Sequence, residues 1–168
     1  MNIQKIFAIK YDSKDMDFEL LMKKESLKNA LFIFNDNFQI HYTTIRGGGN
    51  ASIRPQNNLS IYKRSFGIPT GHYKSGYSSL EESQEEIDIC LNELNLLLQS
   101  GNYNKIVYSI ETLNEPLLGT GIYNVDKEVK SYITKKILNL GLNKEIYYVS
   151  GKNGSYKQFI TQELIDSI

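Results

Sequence analysis

The sequence predicts an α/β fold, a sheet covered by helices, and three observations carry that prediction. The apolar run Ala30-Leu31-Phe32-Ile33-Phe34 is short and stops at Asn35-Asp36-Asn37, which suits a buried strand. Two longer segments repeat apolar residues at helical spacing: Ile87, Leu91, Leu94 and Leu98, then Val129, Ile133, Ile137 and Leu140. Each is followed by a strand-like run, residues 105–110 and 145–149. Strand alternating with helix is the pattern of a sheet with helices on its faces.

In chain order, residues 7–11 read as a first strand and residues 17–23 as a second. Residues 39–76 hold six glycines and two prolines. That is long for a structureless loop, so a short helix is expected after Gly49 and short strands at 59–62 and 65–68. Ser79 and Glu82 form a capping box for the next helix, whose early acids suit the positive end of its dipole and which Gly101 ends. A second helix is expected over residues 125–140, with Gly141 as its stop. The tail, residues 151–168, reads as a turn and one short helix. The expected organisation is one domain over residues 1–168, long enough to bury a full core.

No apolar run approaches the roughly 18 residues of a membrane helix, and the first residues lack the apolar core of a signal peptide. The single cysteine, Cys90, cannot close an internal disulfide or build a cysteine-rich zinc site. It reads as a small, semi-buried helix residue, not a nucleophile. The expectation is a cytoplasmic protein with neither a metal site nor a bound cofactor. Lys plus Arg and Asp plus Glu number 19 each. That balance argues against a general nucleic-acid or membrane-surface binder. The charge is nevertheless uneven. Between Asp36 and Glu81 there is no acid, and Arg46, Arg54, Arg64, His41, His72, Lys63 and Lys74 all fall in that gap. The stretch that follows, 75–104, has six acids and no Lys or Arg. This points either to an anionic partner or to an incidental split between a loop region and a solvated helix.

Four features carry possible chemistry. In Arg46-Gly47-Gly48-Gly49-Asn50-Ala51-Ser52-Ile53-Arg54, three glycines let main-chain N–H groups turn toward one point. A helix start and two arginines would add to an anion site; the alternative is a flexible turn. Gly119-Thr120-Gly121, between a strand and a helix, repeats that geometry. Asn35-Asp36-Asn37 ends a buried strand, where ligands gather in α/β sheets, though Asn and Asp also favour turns for local reasons. In Phe66-Gly67-Ile68-Pro69-Thr70-Gly71-His72, Thr70 and His72 are pocket candidates, and His72 is of the residue type most used as an acid or base.

In this order the features resemble the macro domain, an ADP-ribose-binding module with a three-layer α/β/α arrangement and a mixed sheet. A closer likeness is to a macro-like family of bacteria and phages with a Phe-Gly-Asp-Asn turn, a Gly-Gly-x-Ala loop, a Gly-Ile-Pro-Thr segment and a Gly-Thr-Gly loop. Phe34-Asn35-Asp36-Asn37, Gly48-Gly49-Asn50-Ala51, Gly67-Ile68-Pro69-Thr70 and Gly119-Thr120-Gly121-Ile122-Tyr123 stand in those places. Asn35 departs from the family's glycine and Asn50 from its common glutamine. The resemblance covers about residues 30–141. It implies that residues 47–51 and 119–123 clasp a diphosphate and that Asn37 faces the distal ribose.

Three functions follow as expectations. The first is binding of ADP-ribose or a related nucleotide, with sequestration of a nucleotide signal in a phage-infected host cytoplasm as the setting the resemblance implies. The second is hydrolysis of an ADP-ribosyl or phosphoester bond, with Asp36 or Asn37 contacting water or ribose and His72 as acid or base. The third is a protein-interaction domain with a degenerate pocket, its partner unspecified, presenting some of the twelve tyrosines.

Overall fold

The central strands carry apolar side chains on both faces, and this sets the architecture. In the computed structural model, which describes residues 2–58, 63–73, 75–151 and 154–168, seven strands form one mixed sheet. They are β1 (Lys5–Lys10), β2 (Ala30–Asn37), β3 (Ser65–His72), β4 (Ser75–Gly76), β5 (Lys105–Ile110), β6 (Glu145–Ser150) and β7 (Gly154–Phe159). Their order is β4-β3-β2-β5-β1-β6-β7. The inner strands from β3 to β6 run parallel, and β4 and β7 close the two edges antiparallel.

Strand β2 shows how the period of two builds the layers. Leu31 and Ile33 point into a core beneath α2 (Leu80–Ser100), α3 (Lys127–Asn139) and α4 (Gln162–Asp166). Phe32 and Phe34 point the opposite way, into a smaller core under α1 (Phe18–Leu21) and the 3-10 segments Glu25–Leu27 and Gly49–Asn58. Helices therefore lie on both faces, a three-layer α/β/α arrangement. Steps from β1 to β2 and from β2 to β3 cross on the smaller-core face, whereas the return steps, through α2 and α3, cross on the other. Opposite directions on opposite faces keep one hand of crossover throughout. Among the described residues no helix is long and apolar enough to cross a membrane.

The long helices form where capping and periodicity place them. Ser79 accepts from the Glu82 amide at 3.3 Å, and α2 ends at Gly101. Asp126, not Val125, caps α3 by accepting from the Glu128 amide. Three expectations are corrected. Residues 17–23 are not a strand: Asp17 accepts from the Leu20 amide at 2.9 Å, and Phe18 and Leu21 bury one side of a short helix. The tail is more than a turn and a helix, because β7 pairs with β6 along its length. As an edge strand it needs little apolar surface; Tyr156 stacks on Tyr148 with ring centroids 4.7 Å apart. Asn35-Asp36-Asn37 is not a turn either, since these residues complete β2 and pair with β3 across an irregularity between Asp36 and Asn37. The strand expected at 65–68 runs on to His72, and the one expected at 59–62 lies outside the described residues.

Gly67 in β3 packs against β2 closely enough to fix Asp36: a Cβ there would lie 2.2 Å from Asp36 Oδ2. Gly67→Ala is therefore expected to destabilise the fold by about 1–3 kcal/mol, as overpacking of a tight core does. Urea unfolding measures this, and an unchanged midpoint would contradict the packing described.

Candidate functional site

Neighbouring parallel strands β2 and β5 send their following segments to opposite faces of the sheet, so a crevice opens at their C-terminal ends. A cleft of about 650 Å³ occupies that place. Asn35 and Asp36 at the end of β2, Thr70 from β3 and Ser109 from β5 lie along its base. Its two sides are the glycine loop before the Gly49–Asn58 segment and the loop of Gly119, Thr120 and Gly121. The two loops, some seventy residues apart in sequence, share one cleft.

Local bonding holds both loops while leaving main-chain donors available. Gly47 N–H bonds Ala51 O at 3.1 Å, and Asn50 Oδ1 accepts from the Phe18 amide at 3.1 Å, tying the first loop to α1. Gly119 N–H bonds Ser109 O at 2.9 Å, and Asn35 Nδ2 donates to Gly119 O across the β2–β5 seam. Gly49 and Gly121 adopt φ of 53° and 64°, values that favour glycine. Among the described residues, no acceptor takes the N–H groups of Gly48, Gly49, Gly121 or Ile122. Thr120 differs: its N–H and hydroxyl both lie 3.4 Å from Glu111 Oε1, and Lys130 sits beside that carboxylate at 3.3 Å. Asn35 Oδ1 is buried without a partner. An unpaired buried acceptor is costly, so the fold bears a penalty at this atom.

The arginines do something other than expected. Arg46 lies off the cleft and pairs with Glu19 on the surface. Arg64 donates to Met22 O and Leu27 O, holding the α1 region. Arg54 lines the cleft but is 2% exposed, and its charge is already matched. Its Nε and Nη2 donate to Asp36 Oδ1 at 3.0 and 2.5 Å, and Nη1 donates to Ile45 O at 2.6 Å. The guanidinium also faces the Phe34 ring at 5.7 Å. Arg54 thus holds the glycine loop from within, and Lys10 is the lysine that lines the cleft among the described residues.

Asp36 is the hub of this wiring. Besides Arg54, its Oδ1 accepts from the Asn37 amide at 2.8 Å, and its Oδ2 pairs with His41 Nδ1 at 3.1 Å. Burial opposes charge on His41, but the Asp36 carboxylate, joined by Cys90, outweighs it and pushes the imidazole pKa up to about 10. Asn37 Oδ1 accepts from the Gln39 amide, and His72 Nε2 is bound to Glu86 at 2.8 Å. Glu86 also accepts from Tyr77 OH, whose pKa burial and this bond raise. His72 is thus an exposed residue that ends a strand and is oriented by a carboxylate, not a loop residue.

All the other residues expected at the site, including Asn50, Ala51, Thr70, Ile122 and Tyr123, do line the cleft. Sequence reasoning missed Lys10, Tyr11, Ser109 and Glu111. They sit at or just past the ends of β1 and β5, and the rule that sites gather at strand ends would have found them. Comparison with protein-family models, curated proteins and solved structures finds no match.

Replacing Asp36 with Asn leaves the Arg54 charge buried and unmatched. Asp36→Asn is expected to cost about 3–5 kcal/mol, the usual penalty for breaking a buried pair. Arg46→Ala, at an exposed pair, is expected to leave stability nearly unchanged. Equal losses in urea melts of the two variants would contradict the division of labour among the arginines.

Proposed function

We propose that the cleft binds ADP-ribose or a related nucleotide carrying a diphosphate. The observation behind this reading is the pair of glycine loops whose unclaimed N–H groups border one cleft. Convergent main-chain amides are suited to phosphate oxygens, which accept several hydrogen bonds at once. A volume of about 650 Å³ fits a ligand of nucleotide size. Tyr11 and Tyr123 line the cleft and are exposed, offering ring faces to a base. Asn35 and Asn37 line the cleft and bring amide groups of the kind that bond ribose hydroxyls. Lys10 adds a positive charge at the rim.

Binding without turnover is the favoured form. Of the groups a hydrolase would use, Asp36 is engaged by Arg54 and His41 and Asn37 Oδ1 already accepts from the Gln39 amide, which leaves His72, oriented by Glu86, without a second group to work with. Holding a nucleotide signal out of circulation needs only the cleft.

Isothermal titration calorimetry with ADP-ribose is expected to give a dissociation constant of about micromolar order, near −8 kcal/mol. Gly48 is exposed, and a Cβ there would meet nothing within 4 Å. Gly48→Glu therefore places a carboxylate at the loop without disturbing the fold, and is expected to weaken binding at least about tenfold, or about 1.4 kcal/mol. Absence of heat at about millimolar ligand with folded protein, or equal affinity in the variant, would overturn the reading.

A further inference from the structure

Behind the cleft, on the far side of Asp36, three potential metal ligands converge that the cleft does not use. His41 follows the 3-10 segment Phe38–Ile40, while Cys90 and Glu93 lie on α2. A spacing of three residues puts Cys90 and Glu93 on one side of the helix, facing His41. The ligand atoms of the three residues all lie within 4.8 Å of one another. We infer that His41, Cys90 and Glu93 form a binding site for a divalent zinc-type metal ion.

The arrangement of the outer atoms supports this. A metal-bound histidine normally gives its other ring nitrogen to a carboxylate, which fixes the ring and makes it a better ligand. Asp36 Oδ2 already holds His41 Nδ1, leaving Nε2 toward the cluster. Glu93 is held in the same way: Tyr42 OH donates to Oε1 at 2.8 Å, and Oε2 lies 3.5 Å from His41 Nε2. Metal–ligand lengths of about 2.0–2.3 Å in a tetrahedral site put ligand atoms about 3.3–3.6 Å apart, so the His41–Glu93 separation already fits. Cys90, fully buried, supplies the soft thiolate that favours zinc over magnesium or calcium.

The fourth position has access to water. His41 and Glu93 both line a side cavity of about 380 Å³, separate from the nucleotide cleft and bordered by Tyr42, Lys63 and Phe66. Three protein ligands with one solvent position are the pattern of an open zinc site. The metal takes the place of the proton on His41 Nε2 and of the thiol proton of Cys90.

Cobalt(II) reports on this site directly, because a thiolate ligand gives it a charge-transfer band in the near ultraviolet. The purified full chain, stripped with a chelator and titrated with Co²⁺, is expected to bind one equivalent and develop that band, and Zn²⁺ is expected to abolish it by displacement. Cys90→Ser keeps the side-chain volume nearly constant and should lose the band, with circular dichroism confirming the fold. Glu93→Gln, at a partly exposed position, is expected to keep the band and weaken binding at least about tenfold. A folded wild-type chain with no band, a band that survives Cys90→Ser, or unchanged affinity in Glu93→Gln would each overturn the site.

Discussion

The buried pair between Asp36 and Arg54 is the constraint on which the rest of the site depends. Both charges have left water, so each is tolerable only while the other stays in place. The pair joins the end of β2 to the segment that follows the triple glycine, and Arg54 adds a bond to Ile45 O on the other side of that loop. A glycine-rich loop left to itself would sample many conformations. Here it is clamped at both ends, so its amides are held in place, and the binding proposed for the cleft would need less ordering.

Asp36 also stands between the cleft and the cluster proposed to hold a metal. One carboxylate oxygen serves Arg54 and the glycine loop; the other serves His41 and, through it, the cluster with Cys90 and Glu93. Gly67 leaves the space this carboxylate needs. The sheet supplies the remaining order. Because β2 and β5 are neighbours whose crossovers leave on opposite faces, the loops that follow them meet over one crevice, and the Asn35–Gly119 bond fastens the seam.

Much of this was legible in the sequence, for identifiable reasons. The layers followed from apolar patterning, which records burial directly: the continuous run from Ala30 to Phe34, buried on both faces, and the periodic apolar lines of α2 and α3. The glycine loops were legible because main-chain donors need no particular side chain, only its absence. The arginines were misread because a charge in a sequence does not announce its partner. Glu19, Asp36 and the carbonyls of Met22 and Leu27 are near Arg46, Arg54 and Arg64 only after folding. Residues 17–23 misled because Phe18 and Leu21 suit a buried strand as well as a helical turn, and the Asp17 cap decided between them. β7 was hidden because an edge strand paired to one neighbour can be polar. The Cys90-x-x-Glu93 spacing was the one visible trace of the proposed metal cluster, and His41 is about fifty residues away.

The central claim, that two distant loops present their amides to one guest, is tested most directly by amide chemical shifts during titration with ADP-ribose. Gly48, Gly49, Gly121 and Ile122 are expected to shift together along a single saturating curve. Shifts confined to one loop, or elsewhere on the molecule, would contradict it.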